Sequence, residues 1–186
     1  MEKMGNPGPI GLLGFGMTTV LLNIHNAGLT PLDDHILAMG IFVGGLAQVI
    51  AGILENKRGN TFASTAFTLY GFFWIALVWM VYHKFTAGTL ATYLMIWGVF
   101  TLFMFIGTLK LNKTLQFIFG TLLLLFILLV IGNYTVASGA VESGKAILNF
   151  AGYEGIICGA SAIYLAAAEV LNEVYGREVL PIGAKK

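Results

Sequence analysis

Six apolar runs separated by short polar breaks make up most of the chain. They fall at about residues 10–25, 35–54, 62–82, 90–109, 114–132 and 148–171. Each is close to the roughly 20 residues that an α-helix needs to cross the hydrocarbon core of a bilayer. Strands of a membrane β-barrel are about half as long and alternate apolar with polar positions, which these runs do not do. The pattern predicts an all-α membrane protein, in which residues 1–186 form a single six-helix transmembrane domain.

The composition supports placing these helices in lipid. Hydrophobic residues make up 58% of the chain and charged residues only 10%. A soluble domain carries about a quarter of charged residues, so this chain has too few charges to cover a water-facing surface. We therefore expect the lipid bilayer to surround it. The net charge of +1 comes with no clustered basic face, so we expect no nucleic-acid partner.

The basic residues predict the orientation of the six spans. With alternating loops, one side of the membrane receives Lys84 and Lys145 alone. The other side receives both termini and the remaining basic residues, which are Lys3, Lys57, Arg58, Lys110, Lys113, Arg177, Lys185 and Lys186. Under the positive-inside rule this second side is cytoplasmic. We predict a multi-pass plasma-membrane protein with both termini inside, whose longest loop, about residues 133–146, faces outward.

No pattern of an enzyme or of a metal site is found in the sequence. Cys158 is the single cysteine, which excludes an intrachain disulfide and a cysteine metal site. No histidine pair has metal-ligand spacing, and no glycine-rich phosphate loop follows a strand. We expect a protein that is not an enzyme and has no cofactor or bound metal, with its function inside the helix bundle.

Polar residues inside the spans are candidates for a shared path, because each costs free energy unless it faces protein or water. Hydroxyl and amide groups can hydrogen-bond a small polar solute, and because they are uncharged they do not bind an ion tightly. Serine and threonine also bond back to carbonyls of their own helix, so a purely structural role stays open for each of them. The candidates for the substrate path are Thr18, Thr19, Asn23, Gln48, Ser161 and Tyr164.

The first span has a distinctive face. Gly11, Phe15, Thr18 and Leu22 recur at three- and four-residue spacing and so share one side of a helix. The backbone N–H groups behind Pro9 lie at the positive end of the helix dipole, which makes them a candidate carboxylate site. An ordinary helix that starts at a proline is the alternative.

Glycines and acidic residues add two further expectations. Pairs four residues apart, Gly40 with Gly44 and Gly155 with Gly159, predict close helix packing. Glu154, near the outer end of the sixth helix, is a candidate for binding protons, although a solvated carboxylate is the favoured interpretation. His25 at the outer mouth is a second candidate, and a plain interfacial histidine is the alternative.

Five segments together resemble one known family. They include NPGPIGL at residues 6–12 and GFGMTTVLLNIHNAG at 14–28. The others are ENKRGNTF at 55–62, WGVFTLFMFIGTLK at 97–110 and ICGASAIYLAAAEVLNEVYGR at 157–177. The chain resembles, over nearly its whole length, the acetate uptake transporter family, which includes bacterial succinate/acetate permeases and yeast ammonia-export proteins. It departs from the usual family pattern at Gly8, often alanine, and at Glu154, where an apolar residue is more usual.

The resemblance implies a ring-shaped homo-oligomer, a homohexamer, in which each protomer carries its own path for acetate and related short carboxylates. It also implies a hydrophobic constriction at the positions of Phe15, Tyr70 and Leu122. Ala162 would help to set the size of carboxylate that passes. The path is then expected to include Asn6, from the first motif, and Gly11.

The energetics of anion transport favour a role for protons. Moving a bare anion inward against an inside-negative potential costs about 2.3 kcal/mol per 100 mV, whereas carboxylic acids become neutral near pH ~4 to 5. We therefore predict proton-linked uptake of acetate and related carboxylates, including succinate. A passive, pH-gated channel for acetate or a small neutral solute such as urea or ammonia stays an alternative. A sensor or scaffold is less favoured because the chain has no soluble domain.

Overall fold

The computed structural model describes residues 5–184, and over that range the chain is a bundle of six long helices without strands. All six are long and apolar enough to cross a membrane, which confirms the predicted helix count and class. Lys3, Lys185 and Lys186, used above to predict orientation, lie outside the described residues. The helices are α1 (Gly8–Asn26), α2 (Asp34–Lys57), α3 (Thr61–Tyr82), α4 (Ala87–Thr108), α5 (Lys113–Ala137) and α6 (Val141–Tyr175).

Local signals in the sequence account for most helix ends. Side-chain oxygens of Asp33, Asn60, Thr86 and Asn112 accept hydrogen bonds from backbone N–H groups at the starts of α2 to α5. Such caps satisfy donors that have no partner inside the helix. α6 ends at Gly176, whose φ of 63° lies in the left-handed region that glycine adopts without strain.

The loop predicted at about residues 133–146 is largely helical, so this boundary was wrong. α5 continues to Ala137 and α6 begins at Val141, which leaves residues 138–140 as the connection. Glu142 lies in the first turn of α6, where an acidic side chain is favourable, and it pairs with Lys145 at 3.1 Å. Gly144 also packs closely against Gly132 and Val136 of α5, so a glycine here allows helix contact rather than marking a loop.

Glycines let α1 approach its neighbours closely. A methyl group at Gly159 of α6 would lie 2.7 Å from the carbonyl oxygen of Gly16 in α1. A methyl group at Gly44 of α2 would lie 2.8 Å from Thr18 Oγ1. Small residues are what membrane helices need for such backbone contact, which confirms the packing role predicted for this glycine spacing.

Part of α2 is a π-helix, which the sequence did not predict. Residues Met39–Ala47 have this wider geometry, and Gly40, Gly44 and Gly45 within it are buried. The Gly45 carbonyl oxygen lies close to α3, 2.8 Å from where a methyl group at Gly71 would be. Such turns are rare and occur often at functional sites.

Candidate functional site

A cavity of about 250 Å³ lies inside the bundle and is lined by residues from all six helices. We call the end of the bundle where α1 begins the Asn6 end and the end where α1 finishes the Asn23 end. The cavity occupies the half nearest the Asn23 end, with the loop residues Leu32 and Phe85 at its rim. Among the described residues that line it there is no Asp, Glu, Lys or Arg. It therefore suits a small solute with an apolar part better than a strongly hydrated ion.

Amides from the last turns of α1 form the polar part of the rim. Asn26 Nδ2 donates to Asn23 Oδ1 at 3.0 Å, and Asn23 Nδ2 donates to the Thr19 carbonyl oxygen at 2.9 Å. His25 Nδ1 lies 2.9 Å from the carbonyl oxygen of Thr30, which ties this ring to the following loop. All four α1 residues of this rim (Thr19, Asn23, His25 and Asn26) line the cavity.

Two aromatic rings and a leucine side chain close the inner end of the cavity. Phe15, Tyr70 and Leu122 are the lining residues of α1, α3 and α5 farthest from the Asn23 end, and each is at most 7% exposed. The Phe15 and Tyr70 ring centroids are 6.1 Å apart. The structure thus brings together the three residues that the family resemblance implies. We call these three side chains the constriction.

Aromatic rings pack beneath the constriction, towards the Asn6 end. Phe67 covers Gly11 so closely that a methyl group there would lie 2.6 Å from the ring. Phe119 packs against Tyr70 and against Phe62, with centroid separations of 6.2 and 5.5 Å. Gly11, predicted to be part of the path, therefore contacts Phe67 rather than the cavity.

A polar cluster at the Asn6 end joins three parts of the chain. Asn6 Nδ2 donates to Glu169 Oε2 at 2.8 Å, and Arg58 Nη1 donates to Asn6 Oδ1 at 2.6 Å and to Glu55 Oε1 at 3.2 Å. Gly8 N also donates to Asn6 Oδ1, at 3.1 Å. Asn6 was predicted as a site residue, but Glu55 and Arg58 were not. In the sequence, Glu55 and Arg58 belong to the motif at residues 55–62, whose polar composition is typical of a solvent-exposed helix end.

The family model for the GPR1/FUN34/yaaH family matches residues 1–177. The chain belongs to this family. This result confirms the resemblance identified from the five motifs.

Individual relatives cover almost the whole chain. The succinate-acetate/proton symporter SatP of Escherichia coli (strain K12) is 57% identical over 188 residues, covering 97% of this chain and 96% of that protein. Acetate permease A of Emericella nidulans is 29% identical over 199 residues, covering 97% and 66% of the two chains. A solved structure described as the bacterial acetate channel SatP matches with a TM-score of 0.91 at 57% identity, and covers 97% of this chain and 100% of that one.

Several residues predicted for the path of this family member lie against other helices instead. Thr18 Oγ1 faces α2 and lies 3.5 Å from the Met39 carbonyl oxygen. Gln48 packs against Gly14, and its Oε1 is buried without a hydrogen-bond partner in the described chain. Ala162 is fully buried. Thr18, Gln48 and Ala162 do not line the cavity.

Ser161 and Tyr164 lie outside the cavity, in a crevice beside the C-terminal segment. Ser161 Oγ donates to the Cys158 carbonyl oxygen at 2.6 Å, and the Tyr164 hydroxyl donates to the Pro181 carbonyl oxygen at 2.8 Å. The crevice, of about 400 Å³, is also lined by Lys113 and Thr114 at the start of α5. The structure therefore separates these two residues from Thr19 and Asn23.

Glu154 is buried, so the favoured expectation of a solvated carboxylate was wrong. Its side chain is 9% exposed, and both carboxylate oxygens are buried without a partner among residues 5–184. The reason is that α6 begins at Val141 rather than near residue 148. Its two additional turns place Glu154 well inside the helix, and it does not line the cavity.

Proposed function

We propose that this protein transports acetate and related short carboxylates, succinate among them, by proton-linked uptake through a path within each protomer. The observation that carries the proposal is the uncharged cavity that ends at Phe15, Tyr70 and Leu122. The 57% identity to a protein named as a succinate-acetate/proton symporter supports the same substrates here.

The cavity matches both ends of such a solute. Amide groups at the rim can replace water around a carboxylate, and the apolar walls can accept a methyl group. A dry constriction blocks a continuous column of water, as hydrophobic gates do. Passage then requires the constriction to open. Because moving a bare anion inward against the membrane potential costs free energy, we propose that the carboxylate moves together with a proton.

We further propose that the Asn6 end faces the cytoplasm, with both termini inside, in the plasma membrane. Support comes from the basic residues, because Lys84, between α3 and α4, and Lys145, in the second turn of α6, are the Lys and Arg side chains of the described chain at the Asn23 end. The positive-inside rule then directs the Asn6 end inward. In this orientation the cavity opens to the outside.

We propose a homohexameric ring as the assembly. The support is the family resemblance together with α4, which has the smallest buried share of the six helices. Its exposed side chains are large and apolar, which suits lipid or a neighbouring protomer. They include Ile96, Val99, Phe103 and Ile106.

Three predicted roles continue as parts of this proposal. Ala162, fully buried in α6, is proposed to limit the size of the carboxylate by restricting how far neighbouring helices can move. Glu154 and His25 are proposed as proton-binding groups, the former because both of its carboxylate oxygens are buried without a partner among the described residues. His25 is included because it lines the rim of the cavity.

A passive, pH-gated channel is the second candidate, for acetate or for a small neutral solute such as urea or ammonia. Two observations favour it. The related structure is described as an acetate channel, and the described cavity lining contains no acidic side chain that could carry a proton along with the solute.

Counterflow in liposomes tests the proposal. Purified protein is reconstituted with unlabelled acetate inside, and uptake of labelled acetate is measured at two pH values with acetate, succinate, formate or urea as competitor. Saturable exchange that is inhibited by succinate and faster at the lower pH is the expected result. Unsaturable flux shared by urea would favour the channel, and the absence of both carboxylate and urea flux above protein-free liposomes would contradict both candidates for these solutes.

A further inference from the structure

The cluster at the Asn6 end brings two carboxylates to one point of α1. A methyl group at Gly8 would lie 2.8 Å from Glu169 Oε2 and 3.6 Å from Glu55 Oε1. Glu169 comes from α6 and Glu55 from α2, so two helices converge on the first turn of α1. The absence of a side chain at Gly8 leaves the room that the Glu169 carboxylate occupies.

The carboxylates have unequal partners. Glu55 is 2% exposed; its Oε1 receives the Arg58 hydrogen bond, whereas its Oε2 is buried without a partner in the described part of the chain. Glu169 receives a hydrogen bond from the neutral amide of Asn6. Arg58 is itself one third exposed, with a side-chain exposure of 34%, so water reaches the edge of the cluster.

Charge around the cluster does not balance two ionised carboxylates. Among residues 5–184, Arg58 is the single cation hydrogen-bonded to the cluster. The first turns of α1 and α3 contain no ionisable side chain, and Lys57 and Glu173 on the adjoining helices are exposed. The positive end of α1 adds roughly half an elementary charge. Within the described residues the two carboxylates therefore face less than two positive charges, and like charges at a shared site disfavour double ionisation.

We propose that Glu55 and Glu169 share one exchangeable proton and form a proton-binding site of transport at the Asn6 end of the path, separate from Glu154 and His25. The inference rests on the proposed proton-linked function. The proton passes to a carboxylate oxygen from a hydronium ion that enters from the Asn23 end with the solute, leaving a water molecule, and it is released from the same oxygen to water at the Arg58 edge; no other bond changes.

The cluster is placed where its charge state can act on the constriction. With one proton bound, the carboxylates and Arg58 balance, and Asn6 ties the start of α1 to α6. Without it, Glu55 and Glu169 repel one another across the first turn of α1. Phe15 lies two turns along the same helix, so a shift of the start of α1 moves one wall of the constriction. Binding of the proton and opening of the path are thereby coupled.

The test uses Glu169→Gln and Glu55→Gln, with Glu173→Gln as the matched control one turn farther along α6. Proteoliposomes receive succinate, whose charge limits leakage through lipid, with the membrane potential held at zero. Counterflow at equal pH reports a folded, conducting protein. Accumulation driven by a difference of one pH unit reports proton coupling, and one coupled proton gives up to about tenfold accumulation.

We expect wild type and Glu173→Gln to accumulate succinate, and Glu169→Gln and Glu55→Gln to exchange it without accumulation. Unchanged accumulation in both of these variants would overturn the inference while leaving the proposed function intact. Exchange without accumulation in the wild type would instead remove the proton-linked function and the inference with it.

Infrared difference spectroscopy after a pH jump provides the second readout, on proteins that all carry Glu154→Gln so that this carboxyl contributes no band. The carbonyl band of a protonated carboxyl should appear in this background alone and together with Glu173→Gln, and disappear when Glu169→Gln is added. A band that persists unchanged in both cluster variants would contradict the assignment. This measurement also tests whether the cluster binds a proton if a cluster variant does not transport succinate.

Discussion

The Tyr70 hydroxyl donates a hydrogen bond to Thr101 Oγ1 at 2.8 Å, because the Thr101 hydroxyl hydrogen is already donated to the Trp97 carbonyl oxygen, also at 2.8 Å. This chain of two bonds fixes the Tyr70 ring against α4. Phe15 and Leu122 have no such polar tether, since their side chains carry no donor or acceptor. Tyr70 is therefore the fixed wall of the constriction, and Phe15 and Leu122 are the parts that can move.

The direction of this bond predicts unequal effects of removing its two ends. Tyr70→Phe leaves Thr101 bonded to Trp97 and should lower stability by about 1 kcal/mol or less. Thr101→Val leaves the Tyr70 hydroxyl buried without its acceptor and should cost about 1 to 3 kcal/mol. Thermal unfolding in detergent compares the two. Equal stability of both variants would contradict the assigned direction.

The constriction predicts a change in size selectivity. Leu122→Ala removes a buried side chain and should raise the ratio of succinate to acetate flux in liposomes, because the opening widens. Loss of its packing should also cost about 2 to 5 kcal/mol of stability.

Leu124→Ala is the matched control, since Leu124 lies on the same helix and is 45% exposed. It should leave the flux ratio as in the wild type. If Leu122→Ala also leaves the ratio unchanged, Leu122 does not set the size limit.

The close contact between α1 and α6 predicts that replacing Gly159 with a larger residue destabilises the protein. Gly159→Ala brings a methyl group to 2.7 Å from the Gly16 carbonyl oxygen and 2.9 Å from the Val20 nitrogen, both backbone atoms that cannot rotate away. We expect a loss of about 1 to 3 kcal/mol from overpacking.

Gly88→Ala serves as the control, because a methyl group there meets only Ala137 Cβ at 3.7 Å. That variant should match the wild type or exceed it slightly, as alanine favours helix. Unfolding monitored by circular dichroism distinguishes them. A stable Gly159→Ala protein would show that the two helices separate at little cost.

The fold could be read from the sequence because membrane helices are defined by length and apolarity, which are local properties. The start of α6 was misplaced because Gly139 and Gly144 resemble a loop, whereas the Glu142–Lys145 pair supports a helix. The π-helix in α2 contains Gly44, which packs closely on Thr18 of α1 and Trp74 of α3. No local pattern records such packing.

Some residues of the candidate site were predicted and others were missed, because contacts between distant parts of the chain leave no local pattern in the sequence. The resemblance placed Phe15, Tyr70 and Leu122 together, which periodicity within α1 alone does not do. The bond from Asn6 to Glu169 joins residues 163 positions apart, and the neighbouring Glu55 is buried. From the sequence alone, a glutamate followed by Asn, Lys and Arg is expected to be exposed to solvent, and only the structure shows that it is buried.

The side-chain amide of Asn172 binds the C-terminal segment after α6, so we predict that removing this amide affects that segment alone. Asn172 Oδ1 accepts from the Val179 and Leu180 backbone nitrogens at 2.6 and 3.0 Å, and its Nδ2 donates to the Leu180 carbonyl oxygen. Asn172→Ala should raise the rate of proteolysis at about residues 177–184 several-fold with transport unchanged. Glu173→Ala is the control, and equal cleavage rates would show that this clasp does not hold the segment.

Passage through the constriction is tested most directly by filling it. Leu122→Trp places an indole between Phe15 and Tyr70, whereas Leu124→Trp places the same group on the exposed side of α5. The measurement is the initial rate of labelled succinate uptake into proteoliposomes, after confirming that both variants remain folded. We predict that Leu122→Trp falls to the rate of protein-free liposomes while Leu124→Trp transports as the wild type does. Wild-type uptake by Leu122→Trp would contradict a path through this constriction.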